Sequence, residues 1–314
     1  MSTALRIRTA LFIAPLVLSA CGGGAADPTT VELGTSTDQV VATSPTTTTV
    51  APTTTVKTKR ASTTTTTTAA PVCATPATKG PVTVLAASSM VNAFTYFKAR
   101  FLRDHPCVTD LVVSYGSSAV LATQIVAGAP ADVFVAASQS AMNSVTNAGL
   151  NVGPAAIFAR NKGEVMLYKG SGTFLTIATV EDLFRQGIRT GLCVVSAPCG
   201  SMADSILANA RSVYANSGLV RANIRSETAS VEDLVTKIKI GELDAGIVYH
   251  SDCVQAQIVR SNIECRDIPD NVNSSNTYLV AAVSNRAPAR EFADYVASES
   301  FMSMIQSVHG FLAP

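Results

Sequence analysis

The chain has 314 residues, 47% of them hydrophobic, and a formal net charge of +1. That length suits one large domain or two medium ones, and so even a charge balance offers no basic face for nucleic acid. Three His and no Trp leave little material for a His-rich metal site.

The first twenty residues follow their own logic. Arg6 and Arg8 precede an apolar run from Ala10 to Leu18, too short to span a bilayer and suited to the core of a signal peptide. The run ends in Leu18-Ser19-Ala20-Cys21, which resembles a bacterial lipobox. Residues 1–20 are therefore read as a signal peptide and Cys21 as the lipidated N-terminus; the other reading is an ordinary secretory signal with a chance Cys. Acyl chains on Cys21 would hold the protein at the membrane, at about 0.8 kcal/mol per buried CH₂. From 21 to 78 the Thr/Pro/Ala tracts "SPTTTTVAPTTT" and "ASTTTTTTAAP" bury too little apolar surface to offset backbone entropy. They predict a disordered, lipid-anchored stalk, open to O-glycosylation.

Seven Cys suit an oxidising compartment. With Cys21 lipidated, an even set is left: Cys73, Cys107, Cys193, Cys199, Cys253 and Cys265. Several connectivities are open to such a set; sequence neighbours suggest Cys73–Cys107, Cys193–Cys199 and Cys253–Cys265. There is no CxxC, which argues against a zinc or redox motif.

After the stalk the pattern turns α/β. "VTVLAA" is a strand, and Met90, Val91, Phe94, Phe97 and Phe101 then form a helical stripe. Ser88 or Ser89 is the expected N-cap, and His105-Pro106 ends the helix. "DLVVSYG" is a strand, "SSAVLATQIVAG" a helix with Gly128 near its C-cap, "ADVFVAAS" a strand and "SQSAMNSVTNAG" a helix. A second series follows: strand "GEVMLYKG", short helix "TVEDLFRQG", then strand, loop and helix in "TGLCVVSAPCGSMADSILANA", with the helix from about Met202. "SVEDLVTKIKIGELDAGIVYHSD" is helix, turn and strand, "NTYLVAAVSN" a strand, and the C-terminal segment one or two helices. Strands alternating with helices imply mainly parallel sheets covered on both faces. The late strand leads the chain back, so two lobes are expected, 79–159 with 274–314 and 160–273. Crossovers fall near 158–163 and 271–276, and a ligand cleft lies between the lobes.

Two places share one grammar: a strand, a Ser doublet, then a helix. They are Ser88-Ser89 and Ser117-Ser118. Ligands of open α/β sheets bind at strand C-termini, and helix N-termini present unpaired N–H groups with about half a positive charge. Together these make an anion site without cationic side chains, to which Ser hydroxyls add rotatable donors. Each Ser also suits a plain N-cap. Cys199 lies in "SAPCGS", another helix start. In "ASVEDL", Ser230 is read as the cap, Val231 as the first helical residue and Asp233 as a capping-box acid. Tyr249 ends an apolar strand and can reach a cleft, or pack as a core Tyr. His250 reads as a surface or cap residue, and Asp132 as a turn cap or hinge-facing carboxylate. No nucleophile elbow, SxxK, HExxH or P-loop is present.

"VTVLAASSM", "SYGSSAVLATQIVAGAPADVFVAAS", "PCGSMADSIL" and "GELDAGIVYHSD", in this order and spacing, resemble the molybdate-binding proteins of ABC importers. The resemblance runs from about Val82 to the C-terminus. It implies an α/β periplasmic-binding-protein fold of type II, with two lobes on a two-strand hinge closing over a tetrahedral oxyanion held by neutral donors. The implied donors are the hydroxyls of Ser89, Ser118 and Tyr249 and the backbone N–H groups of Cys199 and Val231. Two departures stand out: Cys199 replaces a small apolar residue usual in the family, and an Arg often found after the Val is missing beside Val231. Molybdenum would be present only within the oxyanion, with no direct protein ligand, and no cofactor is implied. A site of donors alone suits a dianion that carries no proton and rejects protonated phosphate, whose O–H would lack an acceptor.

The expected function is that of a non-enzymatic, monomeric lipoprotein on the outer face of the cytoplasmic membrane. It would capture molybdate, and tungstate as well, for an ABC permease and its ATPase. Another tetrahedral oxyanion such as sulfate is the alternative ligand, and a surface serine hydrolase using Ser118 the alternative class.

Overall fold

The computed structural model describes residues 73–259 and 262–314, which belong to one compact unit, Thr67–Pro314. The signal peptide, Cys21 and the stalk as far as residue 72 lie outside the described residues. Among the described residues no helix is long and apolar enough to cross a membrane.

The first series is β1 (Gly80–Ala87), a 3₁₀ turn (Ser88–Met90), α1 (Val91–Asp104), β2 (Val108–Gly116), α2 (Ser118–Val126), β3 (Val133–Ala136) and α3 (Gln139–Asn147). A long strand, β4 (Val152–Tyr168), leads into the second series: β5 (Thr190–Cys193), α4 (Pro198–Tyr214), β6 (Ser226–Thr228), α5 (Val231–Lys239), β7 (Ala245–Tyr249), α6 (His250–Ile258) and β8 (Ile263–Asp267). The chain returns through β9 (Ser275–Ala282) and closes with α7 (Ala287–Val296) and α8 (Glu299–His309).

The strands run in the order β2-β1-β3-β9-β4-β7-β5-β6, with β8 on β4. The pairs β1–β2, β1–β3, β5–β6 and β5–β7 are parallel. The antiparallel pairs all involve β9 or β4. The mixed character thus comes from the strands that join the lobes, while the strands leading into site helices keep the parallel βα pattern. β4 is one continuous strand that changes partner: it pairs with β9 as far as Lys162↔Ser275 and with β7 from Gly163↔Tyr249. The crossover expected near 158–163 therefore lies within β4.

Each series buries its own core. In the first, Phe94, Phe97, Phe101, Phe292 and Phe301 pack on one face of the sheet, and Leu121, Ile125, Met142 and Val145 on the other. Val133 and Val135 point to the first face and Phe134 and Ala136 to the second, so β3 reads as an unbroken apolar run rather than an alternating one. In the second series Val165, Leu167, Leu192, Ile206, Leu234 and Ile247 share one core.

The stalk expected to reach residue 78 gives way earlier. The structure bonds Cys73 to Cys107, and Ala77 accepts a hydrogen bond from the Ala287 N–H at 3.0 Å. Arg286 also donates to the Pro76 carbonyl at 3.4 Å. A Thr/Pro composition does not prevent order where a disulfide and a neighbouring helix start hold the backbone. The other bonded pairs are Cys193–Cys199 and Cys253–Cys265.

Three local expectations are corrected. α4 begins at Pro198, four residues ahead of Met202, because proline's fixed φ and missing N–H suit the first helical position. Ser88 and Ser89 cap nothing: neither the 3₁₀ turn nor α1 has a side-chain cap, because the Ser89 hydroxyl is paired with Tyr278. Asp132 faces no hinge. It accepts from the Thr83 N–H at 2.9 Å and from Arg286 at 2.8 Å, tying β1 to the start of α7.

Candidate functional site

The C-terminal ends of β1, β2 and β7 and the starts of α4 and α5 converge on one small cavity. Ser88, Ser89, Ser117, Ser118, Cys199, Ser230, Val231 and Tyr249 line it, with Ala and Gly backbone and Pro198 filling the remainder. All five residues singled out in sequence as oxyanion donors, Ser89, Ser118, Cys199, Val231 and Tyr249, thus meet at one place. No charged side chain lines the cavity. The empty space among these residues, open solvent at its mouth included, is about 210 Å³. The lobes meet around it: α5 touches the Ser88–Met90 turn, and burial, with the Glu232 carboxylate of α5 adding to it, pushes the Tyr115 hydroxyl pKa up to about 12.

Each of the five residues is set by its element. Ser118 is the first residue of α2 and 1% exposed. Its hydroxyl oxygen accepts from the Ala137 N–H at 2.9 Å, which leaves its own hydrogen to donate. Ser117 holds the N-cap position of α2 without a side-chain cap bond, so the cap role expected for it is positional only. Pro198, at the first position of α4, has no N–H, and the first N–H that helix offers is that of Cys199. Val231 opens α5; N–H groups in the first turn of a helix have no acceptor inside it. Ser230 performs the cap expected of it, accepting from the Asp233 N–H at 3.2 Å and donating to the Asp233 carboxylate at 2.9 Å. That capping turns the Ser230 and Asp233 side chains toward each other and leaves the Val231 N–H out of the cap.

Tyr249 ends β7 and is 2% exposed. Its hydroxyl accepts from the Asn276 amide at 2.8 Å. Burial, with Tyr278 beside it, raises its pKa well above the ordinary phenol value, so it stays protonated and able to donate. Sequence reasoning missed the residues behind this front row. Ser89 pairs with the Tyr278 hydroxyl at 2.7 Å. Tyr278 is fully buried on β9, and its ring meets that of Tyr249 edge to face, with centroids 6.0 Å apart. Asn161, on β4, donates to Ser251 at 2.8 Å. The available signal was the polar "SNTY" in a strand that otherwise reads as apolar.

The arrangement offers binding rather than bond-making. His250, the first residue of α6, is within 2.7 Å of the buried Glu164 carboxylate and lines no part of the cavity. Glu164, Cys253 and Cys265 place ligand-type atoms within 4.8 Å of one another, but the two sulfurs are bonded to each other and offer no thiolate to a metal.

Residues 82–311 match the bacterial extracellular solute-binding protein family. The molybdate-binding protein ModA of Mycobacterium tuberculosis strain H37Rv is 32% identical over 236 residues, covering 74% of this chain and 85% of that protein. The Escherichia coli molybdate-binding protein ModA is 27% identical, covering 70% and 84%. Among solved structures, the Azotobacter vinelandii periplasmic molybdate-binding protein superposes with a TM-score of 0.62 at 21% identity, over 74% of this chain and 99% of that one. The sulfate-binding protein SubI of Mycobacterium tuberculosis gives 0.64 at 15% identity, over 74% and 86%. At these identities the two structures speak for the fold. A family match over most of the described residues, joined to a charge-free cavity between two lobes, places the chain: it belongs to the bacterial extracellular solute-binding proteins, which bind solutes rather than transform them.

Proposed function

We propose that this chain is the extracytoplasmic receptor of an ABC importer for molybdate, binding tungstate as well, and that it delivers the anion to a membrane permease driven by a cytoplasmic ATPase. The observation that carries this reading is the cavity lined by hydroxyl and helix-start donors and by no charged side chain. A dianion is a strong acceptor, and hydrogen bonds to it are roughly twice as strong as neutral ones. Helix N-termini add favourable partial charge. The names of the relatives above support the same ligand. In this reading Ser89, Ser118 and Tyr249 donate hydroxyls and Cys199 and Val231 donate backbone N–H groups. Residues 79–159 with 274–314 form one lobe and 160–273 the other, closing on β4 and β9. Closure is favoured by the anion because only the closed form completes the donor set. The Cys21 lipid and the Thr-rich stalk hold a monomer at the outer face of the membrane, a placement supported by the lipobox-like "LSAC" and by the extracellular character of the family.

Titration calorimetry of the full chain with molybdate, tungstate, sulfate and phosphate tests the proposal. Molybdate and tungstate are expected to bind tightly and phosphate weakly. Tight sulfate binding with no heat from molybdate sinks the assignment.

A further inference from the structure

Asn276 lies on β9 where that strand passes between the lobes, directly opposite Asn161 of β4. Its side-chain nitrogen is 2.8 Å from the Tyr249 hydroxyl oxygen and 2.9 Å from the Pro198 carbonyl oxygen. Chemistry decides which end of the amide faces these partners. A carbonyl oxygen can only accept, so the nitrogen must face Pro198. One of its hydrogens is thereby committed to Pro198, and the other goes to Tyr249. A hydroxyl that accepts there keeps its own hydrogen for a different acceptor. The phenol of Tyr278, whose ring packs against that of Tyr249, is a neutral acceptor; a dianion in the cavity is a stronger one.

We propose that Asn276 is a positioning residue that makes Tyr249 a one-way donor toward the cavity. The proposal rests on reading that cavity as an oxyanion site. Asn276 does not line the cavity, so its effect must pass through the groups it holds. Were it replaced by a residue unable to donate, the Tyr249 hydroxyl would be free to turn its hydrogen away from the anion and its lone pairs toward it. The bond to Pro198 pins the start of α4 from the same strand, so the end of β7 and the first turn of α4 are located by a single side chain at the hinge.

A double-mutant cycle separates this from a loss of general packing. The full chain, Asn276→Ala, Tyr249→Phe and the double variant are titrated with molybdate, and each is melted to verify folding. Asn276→Ala is expected to weaken binding by up to about 10- to 150-fold, the range for losing the hydrogen bond from Tyr249 to a charged group. In the Tyr249→Phe background the same change is expected to cost less than about threefold, the share left to the Pro198 bond. Asn276→Ser keeps a single donor and is expected to fall between the unmodified chain and Asn276→Ala; it also serves should the alanine variant fail to fold. Equal losses in the two backgrounds, or no loss in either, overturn the proposal. If the unmodified chain ignores molybdate but binds tungstate or sulfate, the cycle is run with that anion and the proposal is tested unchanged. If it binds none of the three, the oxyanion reading falls and this proposal with it.

Discussion

Replacing Ser118 by Ala separates two quantities that the structure assigns to one hydroxyl. The oxygen accepts from the Ala137 N–H at 2.9 Å in a fully buried setting. Its hydrogen is free for a ligand in the cavity that Ser118 lines. Alanine removes both. The Ala137 N–H is left without its acceptor, which costs about 1–3 kcal/mol of fold stability. The lost donor to a dianion costs about 1.5–3 kcal/mol of binding, a weakening of about 10- to 150-fold. Urea unfolding without ligand reads the first quantity and calorimetric titration with molybdate reads the second. Ser117→Ala is the internal control. Its hydroxyl caps nothing, so its stability cost should fall well below the ~1 kcal/mol of a working N-cap. If Ser118→Ala binds within twofold of the unmodified chain, or if Ser117→Ala loses more affinity than Ser118→Ala, the assignment within this doublet is wrong.

Two further substitutions probe the frame of the site. A Cβ on Gly200 would sit 1.9 Å from the Val194 carbonyl oxygen, where real contacts stay beyond 3.0 Å, so Gly200→Ala must push the first turn of α4 off β5. A stability loss of about 1–3 kcal/mol by urea unfolding, together with weaker molybdate binding as the Cys199 N–H shifts, is expected; unchanged affinity would take Cys199 out of the donor set. Asp252 is buried beneath Tyr249, whose N–H it accepts at 3.1 Å, and burial pushes its pKa from 3.8 up to about 7. Between those values the folded chain holds a proton that the unfolded chain has released, so this group stabilises the fold at low pH. That contribution is lost as pH rises toward 7, by up to about 1.4 kcal/mol per unit. Asp252→Asn keeps an acceptor for Tyr249 and removes the titration. Its melting temperature relative to the unmodified chain should therefore rise between about pH 4 and pH 7, and parallel curves would show that Asp252 does not titrate in that window.

Much of the fold is legible because its signals are local. β1, β2, β3 and β7 are apolar runs closed by small or polar residues, and the stripe from Met90 to Phe101 keeps helical spacing. β6 and β8 escaped notice. "SET" is three residues long and "IECRD" is half polar; they are strands because β5 and β4 supply partners from far along the chain. The start of α4 was misplaced although Pro198 marked it, since "PCGS" reads as loop until the Cys193–Cys199 bond and the Gly200 contact with β5 are seen. The site divides along the same line. Residue types and strand-end positions name Ser89, Ser118 and Tyr249 as hydroxyls that can face a cleft. Which way each hydrogen points is a different matter, because it depends on the partner already bonded to the oxygen. For Ser118 that partner is Ala137, 19 residues away; for Tyr249 it is Asn276, 27 away; for Ser89 it is Tyr278, 189 away. A charge-free anion site works only if its hydroxyls are held as donors, since a hydroxyl free to rotate can equally present its lone pairs. Asn276 and Tyr278, which hold two of these hydroxyls, line no part of the cavity and lie on the hinge strand β9. A sequence can therefore announce the donors of such a site while leaving unstated the contacts that make them donors.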